Sequence, residues 1–144
     1  MKITIDESKF EADVMASVLA VKPAVEHAMA VTFESCVLAN FGFIGFERPS
    51  EWKPLSPGYA RKVHRSFATL ELTGAMKQNL KVEGNEVSLV ADANAPYATE
   101  HEAGIIWKSL PARPVFPMQA GYCMPKTLAL VTESAQETIA KELQ

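Results

Sequence analysis

His27, His64 and His101, the cysteines Cys36 and Cys123, and the carboxylates Glu100 and Glu102 are the residues best able to carry chemistry. Their spacing argues against most of it. A zinc-protease helix needs a second histidine one turn away, and His101-Glu102 has none. Residues two apart on a helix lie on different faces, so Glu100 and Glu102 do not form an acid–base pair. Cys123 sits between Tyr122 and Met124, an apolar setting that raises a thiol pKa and dulls its nucleophilicity. Cys36 is far from it in sequence and the two show no metal-ligand spacing, so both read as reduced thiols. The glycines of GFIGF lack the strand, helix and lysine of a phosphate-binding loop. His27 reads as a packing residue, His64 as a surface residue, and His101 as a polar group that fixes a turn to a neighbouring hairpin. No metal or cofactor is expected.

The elements that would position these residues follow from periodicity. Lys2 to Ile5 reads as a short strand or ordered arm, and Asp6 or Ser8 as a cap for a helix carrying Phe10, Val14 and Val18. Pro23 suits a first helical turn, so a break near Leu19 to Lys22 is expected, with a second helix to about Asn40. Its stripe of Val25, Met29, Phe33, Val37 and Leu38 should face the core. NFGFIGFERPSEW reads as an exposed or partner-covered loop. Ser56-Pro57 caps and opens a short helix to about Arg65, and Thr73-Gly74 opens another turn. Alternation over Leu80 to Asp92 around Gly84-Asn85 predicts a β-hairpin. Tyr97 to Glu102 predicts a helical turn that Pro96 opens and Gly104 ends, with Tyr97 and His101 on one face. The apolar link Ile105, Ile106, Trp107 follows. Pro111 and Pro114 stiffen the exit and hold Arg113 out on an arm. Val115 to Met118 is a candidate strand. A final helix from about Pro125 places Leu128, Val131, Ala135, Ile139 and Leu143 on one side. The fold class is α+β, with a small antiparallel sheet between a long N-terminal helical region and a C-terminal helix, in a single domain over 1–144.

Composition narrows the function classes. A length of 144 residues, 48% hydrophobic and 22% charged content, is ordinary for one globular domain. A net charge of -3 gives no general attraction to nucleic acid or anionic membrane. Acids stand where the apolar core of a signal peptide would be, and uninterrupted apolar runs fall far short of a membrane span. An intracellular protein is therefore expected. Charge is uneven: Arg48, Lys53, Arg61, Lys62 and Arg65 make the middle basic, while Glu83 to Glu102 is acidic. That asymmetry fits head-to-tail pairing of copies as well as a solvated surface.

Four pieces recur in order: Trp52-x-Pro54-Leu55-Ser56, Leu70-x-x-Thr73-Gly74, Tyr97-Ala98-x-x-His101-x-x-Gly104 after a strand pair, and Pro111-Ala112-Arg113-Pro114. Over residues 22–118 the chain resembles the virion morphogenesis (tail completion) family of tailed bacteriophages, and is similar to related tail-component and neck proteins. The resemblance implies a small α+β structural protein, without enzymatic activity or cofactor, that forms a ring at the head–tail junction, expected as a hexamer. Implied partners are copies of itself, the head connector, and tail-tube or tail-terminator proteins, with no membrane; nucleic acid would be met only in a DNA-conducting channel. Val115-Phe116-Pro117 departs from the hydrophobic residue and glycine usual after the final proline, so tail completion, neck and tail terminator all stay open as subtypes. The interaction residues expected are Phe43, Phe46, Arg48, Trp52, Arg61, Arg65, Tyr97, His101 and Arg113. The alternatives are a small hydrolase using His101 with a nearby acid, and a nucleic-acid-contacting protein using the basic segment 48–65.

Overall fold

The computed structural model describes residues 7–42, 44–64, 74–93, 95–104 and 111–144. In chain order these form α1 (Glu7–Ala39), α2 (Pro57–Val63), α3 (Ala75–Gln78), β1 (Leu80–Glu83), β2 (Glu86–Leu89), α4 (Ala98–Ala103), β3 (Met118–Gln119), β4 (Tyr122–Cys123) and α5 (Pro125–Glu142). The class is α+β, as expected. Instead of one central sheet, the described strands form two separate antiparallel pairs, β1–β2 and β3–β4.

The expected break at Leu19 to Lys22 does not occur: α1 runs unbroken for 33 residues with Pro23 inside it. A proline within a helix removes one hydrogen bond and crowds the carbonyl four residues back, at a cost of about 3 kcal/mol. Here Pro23 and Leu19 both lie on the exposed side, where water can meet the freed carbonyl. By length and composition α1 could cross a membrane, which corrects the reading from uninterrupted runs; only 6% of its apolar window is buried. No charge falls between Asp13 and Lys22 or between Glu26 and Glu34, and together these stretches make a long apolar window that a search for uninterrupted runs misses.

After Pro23 the helix is packed. Val37 joins Phe41, Leu80 and Val115 in the buried core, with Phe33, Leu38, Trp52, Met76, Val87, Leu89 and Phe116 against it. The Phe33 and Phe116 rings sit 6.2 Å apart. The second half of α1 therefore lies against the first hairpin as the stripe predicts, and α5 packs along α1. Ser134 Oγ donates to the Ala28 carbonyl at 3.2 Å and fastens α5 to α1. His27, expected to be a packing residue, is exposed, and its Nδ1 meets the Gly84 carbonyl at 2.8 Å. It ties α1 to the hairpin turn.

The β1–β2 hairpin has the predicted register, pairing Leu80 with Leu89 and Val82 with Val87. Gly84, at φ 60°, opens its two-residue turn, as a II′ turn requires. Ser56 caps α2 by accepting from Tyr59 N, and His64 closes it in the left-handed region at φ 54°. Gly104 ends α4 as expected, but that helix starts at Ala98 with Tyr97 as its cap, so Pro96 precedes it. Val115 and Phe116 are not a strand. Their amides donate to the Glu102 carboxylate at 2.7 and 3.4 Å, and Pro114 and Pro117 have no amide to offer a ladder. The expectations for Lys2 to Ile5, Arg65, Thr73 and Ile105 to Trp107 lie outside the described residues.

Candidate functional site

The loop that follows α1 is organised from inside by Asn40. Its side chain is fully buried and makes four hydrogen bonds to the main chain. Nδ2 donates to the carbonyls of Glu47 and Val115, both at 2.8 Å. Oδ1 accepts from the amides of Phe46 at 2.7 Å and Glu47 at 2.8 Å. One amide side chain thus fixes the 46–47 turn and the segment at Val115 to the end of the helix. The Arg48 guanidinium completes the turn by donating from Nε and Nη2 to the Asn40 carbonyl at 2.9 and 2.7 Å, and from Nη2 to the Gly42 carbonyl. Its Cζ lies 3.5 Å from the centroid of the Trp52 ring, and Trp52 Nε1 donates to the Pro114 carbonyl at 3.1 Å. Gly45 is required beside this guanidinium: at φ 72°, a Cβ there would stand 2.6 Å from Arg48 Nε.

Arg48 and Trp52, expected to meet partners, are therefore spent on the chain itself. The same loop reaches α5, where Glu47 accepts from Lys126 N at 3.0 Å and Thr127 N at 2.7 Å. These are helix-end donors with no partner inside the helix, and a carboxylate is favoured there. Burial pushes Glu47 up, but those two amides outweigh it and hold the carboxyl below its usual range.

The Pro111 to Pro114 exit is clamped from several sides. Arg113 N donates to the His101 carbonyl at 2.6 Å, Trp52 takes the Pro114 carbonyl, and Glu102 takes the next two amides. Arg113 is only 7% exposed, so the expected outward arm is corrected to a buried side chain. Two prolines do hold the segment extended, but backbone clamping on both sides turns the guanidinium inward. Arg113 Nε and His101 Nδ1 are buried without a hydrogen-bond partner among the described residues. Burial lowers the His101 pKa, the Arg113 charge lowers it further, and Glu100 opposes them. Burial also lowers Arg113, against the raising influence of Tyr59. Glu102, expected to point away from this cluster, is raised by burial despite its two amide donors. The arrangement holds His101 neutral and fixes a turn; among the described residues no group of three His, Cys, Asp or Glu could hold a metal ion.

The other predicted residues are scattered. Arg61 lies exposed on α2 with Lys62 and His64 beside it, Tyr97 is exposed at the start of α4, and Phe46 is half-buried in the Asn40 turn. Phe43 and Arg65 lie outside the described residues. The aromatic loop is only partly outward: Phe41 is core and Ile44 is open to solvent. Burial raises both thiols, at Cys36 and Cys123, with Glu47 adding to each.

An apolar groove on the first half of α1 was not among the predicted site residues. Phe10, Val14 and Val18 on the first half of α1 face a groove of about 510 Å³ completed by Val25, by Ile139 of α5 and by Leu143 at its end, with Asp13, Lys22 and Glu26 also lining it. Phe10 is 62% exposed, and Met15 and Leu19, which do not line the groove, are 59% and 60% exposed. The signal was legible: Phe10, Val14 and Val18 recur at helical spacing, but nothing local says whether such a stripe meets its own core or a partner. Comparison of the chain with protein-family models, curated proteins and solved structures gives no match.

Proposed function

We propose that this chain is a non-enzymatic structural protein of a tailed bacteriophage or prophage, forming an oligomeric ring at the head–tail junction that completes the tail or joins it to the head. The observation that carries the reading is the bare apolar face of α1 and α5, which a solitary soluble chain would not keep in water. The ordered motifs from Trp52 to Pro114 suggest the phage assignment. Trp52, His101, Glu102 and Pro114 meet at one clamp beneath the Asn40 turn. A rigid clamp of this kind presents surfaces in fixed directions, which is what a joint between larger assemblies needs.

The test is a phage lysate lacking this chain, viewed by electron microscopy. Separate filled heads and tails are expected, with joining restored when the protein is added back. Finished infectious particles formed without it would refute the assignment.

A further inference from the structure

Arg113 carries a charge that the fold buries without pairing it. The residue is 7% exposed, and its Nε is enclosed with no acceptor among the described residues. The guanidinium has no ion pair among those residues either. The acids of α4 are engaged elsewhere: Glu102 gives both carboxylate oxygens to the amides of Val115 and Phe116, and Glu100 acts on His101. A guanidinium keeps its proton at any ordinary pH, so neutralisation cannot relieve the burial. A charge taken out of water with nothing opposite it is among the costlier arrangements a fold can hold, and an anion beside it removes most of that cost.

The surroundings say which anion. Tyr59 of α2 and His101 of α4 both lie within electrostatic reach of Arg113, and His101 Nδ1 is a second enclosed polar atom without a partner among the described residues. The Arg113 amide donates to the His101 carbonyl at 2.6 Å, so guanidinium and imidazole are carried on one clamped frame. We infer that Arg113 anchors a binding site for a single carboxylate, received by its guanidinium with Tyr59 and His101 beside it. Nε is enclosed, so the approach is to the Nη end, and the small opening left there admits a slender group. Because the charge is delocalised over the fork, a carboxylate at that end compensates the whole guanidinium, and its two oxygens match the fork geometry. Glu100 and Glu102 add negative charge on α4, which favours a monoanion over a dianion such as phosphate. The carboxylate belongs to a free acid or to an acidic side chain of a second copy, and the chemistry at Arg113 is the same for both. The inference stands apart from the ring reading.

The experiment is urea unfolding of the full chain at pH 7 during titration with sodium acetate, against sodium chloride at matched ionic strength. Acetate at one hundred times its Kd is expected to shift the folding equilibrium of the wild type about 100-fold toward the native state, saturably, and to move the Arg113 Nε–H signal in NMR. Arg113→Met should abolish the saturable response. Arg113→Lys keeps the charge and loses the fork, so it should need more acetate for the same shift, and it carries the comparison should the methionine variant not fold. Light scattering during the titration separates the two sources. Acetate that turns an oligomer into single chains of 15.7 kDa shows the natural carboxylate to be another copy's side chain, and acetate that binds without changing the mass shows it to be a free acid. Equal effects of acetate and chloride on the wild type overturn the site. So does a saturable acetate response that survives Arg113→Met, or one that Arg113→Lys shows at the wild-type concentration.

Discussion

Replacing Asn40 by alanine tests whether one side chain holds the whole loop. The substitution leaves the Glu47 and Val115 carbonyls and the Phe46 and Glu47 amides without the partner they have now. A buried polar group left unmade costs about 1–3 kcal/mol, and water entering the small cavity will satisfy part of the set. A loss of about 3–6 kcal/mol is therefore expected, a large share of the 5–15 kcal/mol typical of a folded domain. Urea unfolding followed by tryptophan fluorescence reads it directly, since Trp52 sits on the Arg48 guanidinium that closes the same turn. Asn40→Asp is the companion variant. It keeps the oxygen that accepts from the two amides but turns a second oxygen toward two carbonyls. It should be at least as damaging at pH 7, and should recover in part under acid as the carboxyl gains a proton to donate. A loss below about 1 kcal/mol for Asn40→Ala would refute the reasoning, because it would mean the loop is held by its other contacts.

Trp52→Phe removes the indole donor to Pro114 and part of the face beneath Arg48, and should cost about 1–2 kcal/mol in the same unfolding assay. The His101 pKa lies below its usual 6.5 in the folded chain, so the unfolded chain binds the proton first. Stability should fall as pH drops through 6.5 toward the folded value, and His101→Asn should flatten that part of the profile. Glu102 has the opposite sign: its raised pKa means that stability is lost as pH rises from 4.5 through the folded value, which Glu102→Gln should remove at the cost of one weaker acceptor. In hydrogen exchange at high dilution, amides of residues 10–20 should exchange far faster than those of 30–38, which are packed against the core. Equal protection would show that the arm needs no partner.

Local patterns carried most of the elements. The β1–β2 hairpin was readable because alternation and a Gly-Asn turn agree on one register, and the stripe from Val25 to Leu38 because its spacing matches a helix face that is in fact buried. Where the reading failed, long-range contacts decided. Pro23 is tolerated because its side of the helix faces water, a fact no window around residue 23 contains. Arg113 goes inward because contacts spanning 12, 13, 14 and 62 residues, from Arg113 to His101, from Val115 and Phe116 to Glu102, and from Trp52 to Pro114, clamp it and its neighbours. Asn40 was invisible as a hub because an asparagine after a helix is common, and its four partner groups are split between a turn six to seven residues on and Val115, 75 residues away.

The division of labour within α1 ties these findings together. Beyond Pro23 the helix is packed by α5, the hairpin and the Asn40 turn, so it is held in place with its direction fixed. Before Pro23 it extends as a continuous arm that shares the same helical register but touches little of its own chain. An isolated helix of that length is marginal in water, yet it is continuous with a packed one and need not nucleate. The packed half therefore spends its stability on aiming an apolar arm outward. Such an arm has a physical use only when something else covers it, and Phe10, Met15 and Leu19, each more than half exposed, mark the face to be covered.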